Sequence, residues 1–425
     1  MKLTTTGHKT SVLEMNSVAK FSRRTVIGTG LSASGMTSIG FLSACGPSNS
    51  GSSPTPPLLP VQMDPEPRSL LGNIGPLMAP DENGVMLADG FTSRIVASSG
   101  EAPVSSSSFI WHDAPDGGAV FPLDSGEWIY VSNSEMGSRR GGASALKFDA
   151  SGKVVDAYSI LSRTNRNCAG GATPWGTWLS CEETSNGIVW ECDPLGVAEP
   201  IQRPQLGVFY HESVAVNPNT NILYMTEDRP LGLFYRFIPD GNLANGIPDL
   251  SRGRLQAAVV DSSNNAVTWI DIADPLAQTE TTRSQATGAT TFNGGEGIVV
   301  FDNVVSFATK GDNRIWAYQT DNEVLSVIYD RDIAPNPILS GLDNMTLSQD
   351  GELVVSEDPG DLQIVAVTAS GDLVPLMQLV GHEGSEVTGP AFSPDGKRLY
   401  FSSQRGTAGR SSGGVTFEIQ GPFHI

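Results

Sequence analysis

The chain has 425 residues, with 46 Asp+Glu against 26 Lys+Arg and a formal net charge of −20. That balance argues against nucleic acid as a partner, because phosphate backbones demand a basic footprint, and against electrostatic docking on anionic lipid. Hydrophobic residues at 39% suffice for a packed core, while 47 Gly and 28 Pro break the chain often enough to favour many short strands over long helices.

The first segment reads as an address. Ser22-Arg23-Arg24-Thr25-Val26-Ile27 precedes a mildly apolar stretch rich in Gly, Ser and Thr, the pattern of a twin-arginine export signal. Leu42-Ser43-Ala44-Cys45 reads as a lipobox, with Cys45 as the lipidated residue; the alternative is an ordinary signal peptide with an incidental cysteine. The apolar stretch is too short and too polar to span a bilayer. Residues 1–45 are therefore expected to be signal, 46–74 a flexible Ser/Pro/Gly-rich tether, and 75–425 the folded body. The expected location is the periplasm or cell envelope, with membrane contact only through the lipid. Because this export route carries folded chains, it also hints at a cofactor loaded before export.

Through the body, strand-like runs follow tight turn signals that begin at 124, 174, 218, 302, 350 and 394. The runs include Trp128-Ile-Tyr-Val, Trp178-Leu-Ser-Cys, Leu223-Tyr-Met-Thr, Val304-Val-Ser-Phe, Leu353-Val-Val-Ser and Leu399-Tyr-Phe-Ser. The spacings are 50, 44, 84, 48 and 44 residues. A polar insertion over 240–293 is expected to account for the long one. A period near 45 with several strands per repeat predicts an all-β fold, a six-bladed β-propeller, over a two-sheet sandwich, which does not explain the even spacing. Val415–Ile419 is expected to pair with the segment near Phe91–Val96 and close the ring, removing exposed sheet edges.

In a propeller the innermost strands line a central channel, so equivalent positions form a ring. Six residues before each turn stand Gly118, Cys168, Glu212, Glu296, Asn344 and Thr388, with His211, Asp343 and Glu386 beside them. A second set follows the next strand: Glu135, Glu182-Glu183, Glu227-Asp228, Asp312, Glu357-Asp358 and Gln404. On this counting Glu183 and Glu227 are equivalent. Carboxylates gathered at low dielectric repel one another, and cations keep them ionised. The plain alternatives are solvated loops for the acidic pairs and a buried inert thiol for Cys168. Cys181 and Cys192 are either a disulfide or core; core is the expectation. Hard oxygen ligands select Ca²⁺ or Mg²⁺, and a thiolate beside carboxylates selects iron or zinc. With only five His in the chain, iron plus calcium is the expectation.

The run Asn167-Cys-Ala-Gly-Gly-Ala-Thr-Pro-Trp-Gly-Thr-Trp-Leu-Ser-Cys-Glu-Glu183 resembles the signature of PhoX-type alkaline phosphatases. His211-Glu212 with Thr226-Glu227-Asp228, and Thr388-Gly389-Pro390 leading to Gln404, resemble the family's later blades. The resemblance spans roughly Gly75 to Phe423. It implies a six-bladed propeller, twin-arginine export, and a phosphomonoesterase centre of two Fe³⁺ and three Ca²⁺ acting on small phosphate esters. Carried over by position, Cys168, Glu183, Glu212 and Glu296 would be metal ligands, and Glu227, Asp228, Asn344, Glu357 and Asp358 further candidates, chiefly for calcium. Two positions depart from the pattern. Gly294-Gly295-Glu296 stands where the family has an Arg-Pro-Glu run whose Arg contacts phosphate, and Arg405 follows Gln404 where the family has His. Arg166 is the candidate replacement as phosphate clamp and Arg229 the second, since guanidinium matches phosphate bidentately; a salt bridge to the acidic rim is the competing reading for both. Competing functions are a Ca²⁺-dependent lactonase or phosphotriesterase on the same scaffold, for which Glu296 and Asn344 would suffice, and a non-catalytic lipid-tethered propeller with structural calcium. A monomer is expected.

Overall fold

The computed structural model describes residues 69–105 and 107–425. The twin-arginine motif, Cys45 and the first part of the expected tether lie outside the described residues. Among the described residues no helix is long and apolar enough to cross a membrane.

Six antiparallel sheets make six blades. Their first strands are Pro115–Pro122, Asn167–Ala172, His211–Val216, Gly295–Phe301, Leu342–Leu347 and Val387–Phe392, and we number blades 1 to 6 in that order. Each first strand contacts those of the two neighbouring blades, so the six close a ring around the axis. The second strands are Trp128–Ser134, Trp178–Glu182, Leu223–Glu227, Val304–Thr309, Leu353–Glu357 and Arg398–Ser403. Closure runs as the sequence suggests. Thr92–Ser98 pairs antiparallel with Val415–Gln420, Thr92 opposite Gln420 and Ile95 opposite Phe417, so blade 6 joins both ends of the described chain.

The core is divided into six apolar wedges, one between each pair of adjacent blades. This follows from strand alternation: each blade has two faces, and both are covered. Between blades 3 and 4, Phe234 stacks on Phe307 with ring centroids 4.5 Å apart. Cys181 is buried in the wedge between blades 2 and 3, and Cys192 in the wedge between blades 1 and 2. Both are free thiols, so the core reading holds over the disulfide.

Two boundaries differ from expectation. The stretch 240–293 is not simply an insertion: Gly253–Val260 and Val267–Asp271 form the fourth and fifth strands of blade 3. The packed body also starts before residue 75, since Ser69 bridges His424 and Leu71 is buried in the wedge between blades 5 and 6.

All six first strands lose register against their second strands near one end, where two residues bulge out. At and just beyond the bulges the strands crowd the axis. A side chain on Gly171 would stand 1.8 Å from the Val214 carbonyl oxygen, and one on Gly297 2.5 Å from the Met345 nitrogen. The axial cavity that remains there holds only about 20 Å³, lined by Gly117, Gly170, Ser213, Met345 and Pro390 among others. The axis is thus plugged by backbone, and its polar chemistry gathers where the strands bulge.

Candidate metal centre

A bulge re-aims one side chain out of the alternating pattern. Here it does so at one position per blade: Asp116, Cys168, Glu212, Glu296 and Asp343 each follow the last paired residue before the register break, and Thr388 takes the aligned place in blade 6. A second ring comes from the residue just past the end-of-strand pairing: Glu135, Glu183, Asp228, Lys310, Asp358 and Gln404.

These residues meet in four groups whose candidate ligand atoms lie within 4.8 Å of one another: Cys168–Glu183–Glu212, Glu212–Glu296–Asp343, Asp343–Asp358–Glu386, and Asp116–Glu135–Glu386. Glu212, Asp343 and Glu386 are each shared, so the groups form one chain. Its ends also approach, with Cys168 Sγ 3.7 Å from Asp116 Oδ2 and 3.3 Å from Glu212 Oε1. The result is a belt of eight carboxylates and one thiol around the axis.

Protein cations and amides touch the belt at few points. Gln404 Nε2 donates to Asp116 Oδ2 at 2.6 Å and to Glu135 Oε2 at 3.0 Å. Lys310 Nζ stands 3.0 Å from Glu296 Oε1 and 3.1 Å from Asp358 Oδ2. Arg405 pairs with Glu386 at 2.9 Å, and Arg166 reaches Glu135 at 3.8 Å. The protonation equilibria respond to burial and crowding. Burial first, then Asp343 and Glu135, pushes Asp116 well above the usual aspartate range. Burial and then Glu296 do the same to Glu212. Glu183 is pushed up to about 8 by burial, Glu135 and Asp228, and Asp343 to about 7, chiefly by burial. The Cys168 thiol is pushed up by burial and by Asp116 and Glu212. Asp358 is the exception: burial would raise it, but a hydrogen bond from Glu386 and the Lys310 ammonium hold it below its ordinary value.

The donor set fits multivalent cations. Like charges at this spacing stay ionised together only if neutralised. Carboxylate oxygens suit hard cations such as Ca²⁺, and a thiolate among them suits iron or zinc. Glu296 Oε1 is buried and has no aligned hydrogen bond, although Lys310 is close. An acceptor left in that state is costly unless a cation completes it, and Lys310 is the cation that the chain itself brings to it.

Of the residues singled out from sequence, the structure gathers Cys168, Glu183, Glu212, Glu296 and Asp358 in the belt. Asp228 stands in the outer ring beside Gly294, its carboxyl raised by burial and moderated by Lys310 and Arg229. Three others turn away. Glu227 pairs with Arg283 at 2.9 Å and accepts from Tyr235 Oη and the Leu233 amide. Glu357 caps the amides of Ser340 and Gln363. Asn344 Oδ1 accepts from the Gly389 amide at 2.7 Å while its amide donates to Asp343. The reason is register. Glu182, Glu227 and Glu357 are the equivalent residues, each opposite the last paired residue of the first strand, so Glu183 aligns with Asp228 and not with Glu227. Asp312 likewise leaves the ring to Lys310 and pairs with Arg314. His211 is also a structural residue, its Nε2 on the Gly207 carbonyl and its ring stacked on Phe209. Arg229 lies over the Tyr210 ring at 4.6 Å.

Asp116, Glu135, Asp343 and Glu386 are belt members that were not chosen as ligands. Counting back from the turns misplaces blades 1 and 5, where the stretch from bulge to turn is longer: Asp116 precedes its turn by eight residues and Asp343 by seven, against six for Cys168. Aligning the bulges themselves, Asp116-Gly117-Gly118 on Cys168-Ala169-Gly170 and on Asp343-Asn344-Met345, finds Asp116 and Asp343.

Fold and belt together define a six-bladed propeller with a cation-suited centre on its axis. Comparison with known proteins is more specific: the family described as alkaline phosphatase PhoX matches residues 123–337 and 319–406, and the chain belongs to that family. It is a phosphatase-type propeller. The fold is similar to that of Pseudomonas fluorescens PhoX in complex with vanadate, a transition state analogue, at TM-score 0.66 and 18% identity over 82% of this chain and 97% of that one. A gluconolactonase from Xanthomonas campestris, XC5397, is more distant, at TM-score 0.47 and 12% identity over 82% of this chain and 98% of that one. No curated protein matches the chain.

Proposed function

We propose that this protein is an exported metal-dependent phosphomonoesterase, with iron and calcium held by the belt and a small phosphate ester as substrate. The observation that carries the reading is the belt itself: eight carboxylates and one thiol on the axis of a chain of the PhoX family. Cations bound there would neutralise phosphate oxygens and stabilise the charge of in-line phosphoryl transfer.

The chain's own residues would do the following. Cys168, Glu183 and Glu212 hold the thiolate end, where iron is the expected occupant. Asp343, Asp358 and Glu386 offer an all-oxygen site, suited to calcium. Arg166 is the candidate clamp for the ester. Its side chain is 56% exposed, and 3.8 Å from Glu135 is a loose pairing that leaves its donors available. Its backbone is locked by the amide hydrogen bonds Arg166 N to Met136 O and Glu183 N to Arg166 O. Arg23-Arg24 and Cys45 support export by the twin-arginine route and a lipid anchor in the cell envelope. The lactonase-like alternative, one divalent ion on Glu296 and Asn344, is not favoured, because Asn344 Oδ1 is already committed to Gly389.

The test is elemental analysis and ester turnover of the chain purified from an export-competent host. Iron and calcium together, with hydrolysis of p-nitrophenyl phosphate lost in Cys168→Ser, are expected. Full metal loading without turnover of any phosphomonoester would remove the enzymatic reading. For the clamp, Arg166→Ala should raise KM about tenfold, the worth of a charge-assisted hydrogen bond; an unchanged KM removes Arg166 from the role.

A further inference from the structure

The outer ring runs Glu135, Glu183, Asp228, Lys310, Asp358, Gln404. Four blades place a carboxylate at this position and one an amide; blade 4 alone places a cation. Lys310 is also placed differently from the other basic residues of the rim. Arg166 and Arg405 each meet one carboxylate of the belt, Glu135 and Glu386 respectively. Lys310 Nζ meets Glu296 and Asp358, at 3.0 and 3.1 Å, and these belong to different groups of the belt. Asp343 lies in both of those groups and adds to the field on the ammonium.

The side chain starts from a fixed point. The Lys310 amide donates to Gly294 O at 2.8 Å and the Gly311 amide to Asn293 O at 2.9 Å. Asn293 closes over Gly311 so tightly that a Cβ there would lie 2.4 Å from it. On the other side Thr309 Oγ1 donates to Asp312, which Arg314 holds. The lysine therefore leaves a rigid turn and ends between two carboxylates. Burial opposes its charge, yet Glu296, Asp343 and Asp358 outweigh that and pull its proton affinity up.

We propose that the Lys310 ammonium is a tethered cation of the centre. It fills the position between Glu296 and Asp358, so that this side of the belt takes one divalent ion fewer than its carboxylates alone would bind. The proposal rests on the metal-centre reading above. It follows from charge and reach: two carboxylates about 3 Å from one ammonium nitrogen are at ion-pair distance, and a divalent ion at its usual 2.3–2.6 Å from those oxygens would have to occupy the ammonium's own place. A lysine gives one positive charge where an ion would give two, and unlike an ion it cannot be removed by a chelator.

The test is stoichiometry, with no need for activity. The full chain is stripped with chelator, equilibrated with Ca²⁺ and analysed for bound calcium per chain. Lys310→Gln is expected to bind one Ca²⁺ more than the wild type, and Lys310→Arg, which keeps the charge, the same number as the wild type. Equal loading of wild type and Lys310→Gln would overturn the proposal and show that the ammonium moves aside for ions. Absence of bound calcium in both would instead overturn the metal-centre reading on which it rests. A second measurement needs no variant: acylation of Lys310 in the wild type, read by mass spectrometry, should be equally slow with and without Ca²⁺. A tenfold acceleration on loading would overturn the proposal.

Discussion

Blades 2 and 4 present the same two positions to the axis and fill them with opposite electrical character. Blade 2 offers Cys168 from its bulge and Glu183 from the ring beyond, two groups that repel each other once both are ionised. Blade 4 offers Glu296 and Lys310 from the same places, and these two neutralise each other at 3.0 Å. The scaffold is therefore indifferent to what the ring carries. It fixes directions through the bulge, and the residue type decides whether a sector demands an ion or supplies its own charge. Blade 2 is the demanding sector, blade 4 the partly self-sufficient one.

The sharpest way to break this comparison is at Glu212, which belongs to groups on both sides, with Cys168 and Glu183 and with Glu296 and Asp343. Glu212→Gln keeps the shape and removes one ligand charge from each. If the centre works as proposed, phosphomonoester turnover should fall by about a thousandfold, the order expected from losing several kcal/mol of cation-based stabilisation. Elemental analysis should show the loss of metal at the thiolate end first. Retained iron with retained turnover would mean that the two sectors are independent.

A second effect comes from protons. In metal-free protein, Glu183 near 8 and Asp343 near 7 lie above their ordinary values, mainly through burial. The folded chain then binds more protons than the unfolded chain between roughly pH 4 and 8, so stability is greatest at the acid end of that window and is lost as pH rises through the folded values. With Ca²⁺ in excess the slope should reverse, because the ion binds the deprotonated belt and competes with protons. Melting temperatures measured in chelator and in Ca²⁺ across that range would show it. A flat or rising curve in chelator would mean that the carboxylates are already compensated within the protein.

A third effect separates the belt from its look-alikes. Glu227 was a candidate ligand by sequence, but the structure gives it Arg283, Tyr235 and the Leu233 amide. Glu227→Ala should cost about 2–3 kcal/mol of stability by stranding a partly exposed arginine and two donors, while leaving metal content intact. Urea unfolding and elemental analysis on one preparation decide it; loss of metal at unchanged stability would return Glu227 to the centre.

That contrast also marks how far the sequence could be read. Six turns at near-even spacing exposed the propeller, because hairpin turns need Gly, Asn and Asp at fixed places and a repeat cannot hide them. Ring closure was legible for the same reason: Val415–Ile419 alternates like a strand and needs a partner. Cys168, Glu212 and Glu296 were found because their blades have equal lengths between bulge and turn. Asp116 and Asp343 were not, because their blades are longer by one or two residues, and a one-residue slip in a strand reverses which face a side chain takes. Lys310 was invisible for another reason. A search for ligands looks for acids, and a cation standing in a ring of acids becomes visible only once the register is known.

The smallest effect distinguishes the two arginines at the rim. Arg229 stands next to Asp228, but its guanidinium lies over Tyr210 at 4.6 Å. A cation–π contact at such a site is worth about 0.5–1 kcal/mol and holds a loop, with no substrate needed to explain it. Arg229→Ala should therefore lower stability by that amount and leave KM for a phosphomonoester within about twofold, against the roughly tenfold rise expected for Arg166→Ala. The two variants, measured side by side, ask which part of the rim meets the ester. If Arg229 proves the more costly for KM, the ester approaches from blade 3, next to the lysine of blade 4, and the self-neutralised sector is where the substrate's charge is read.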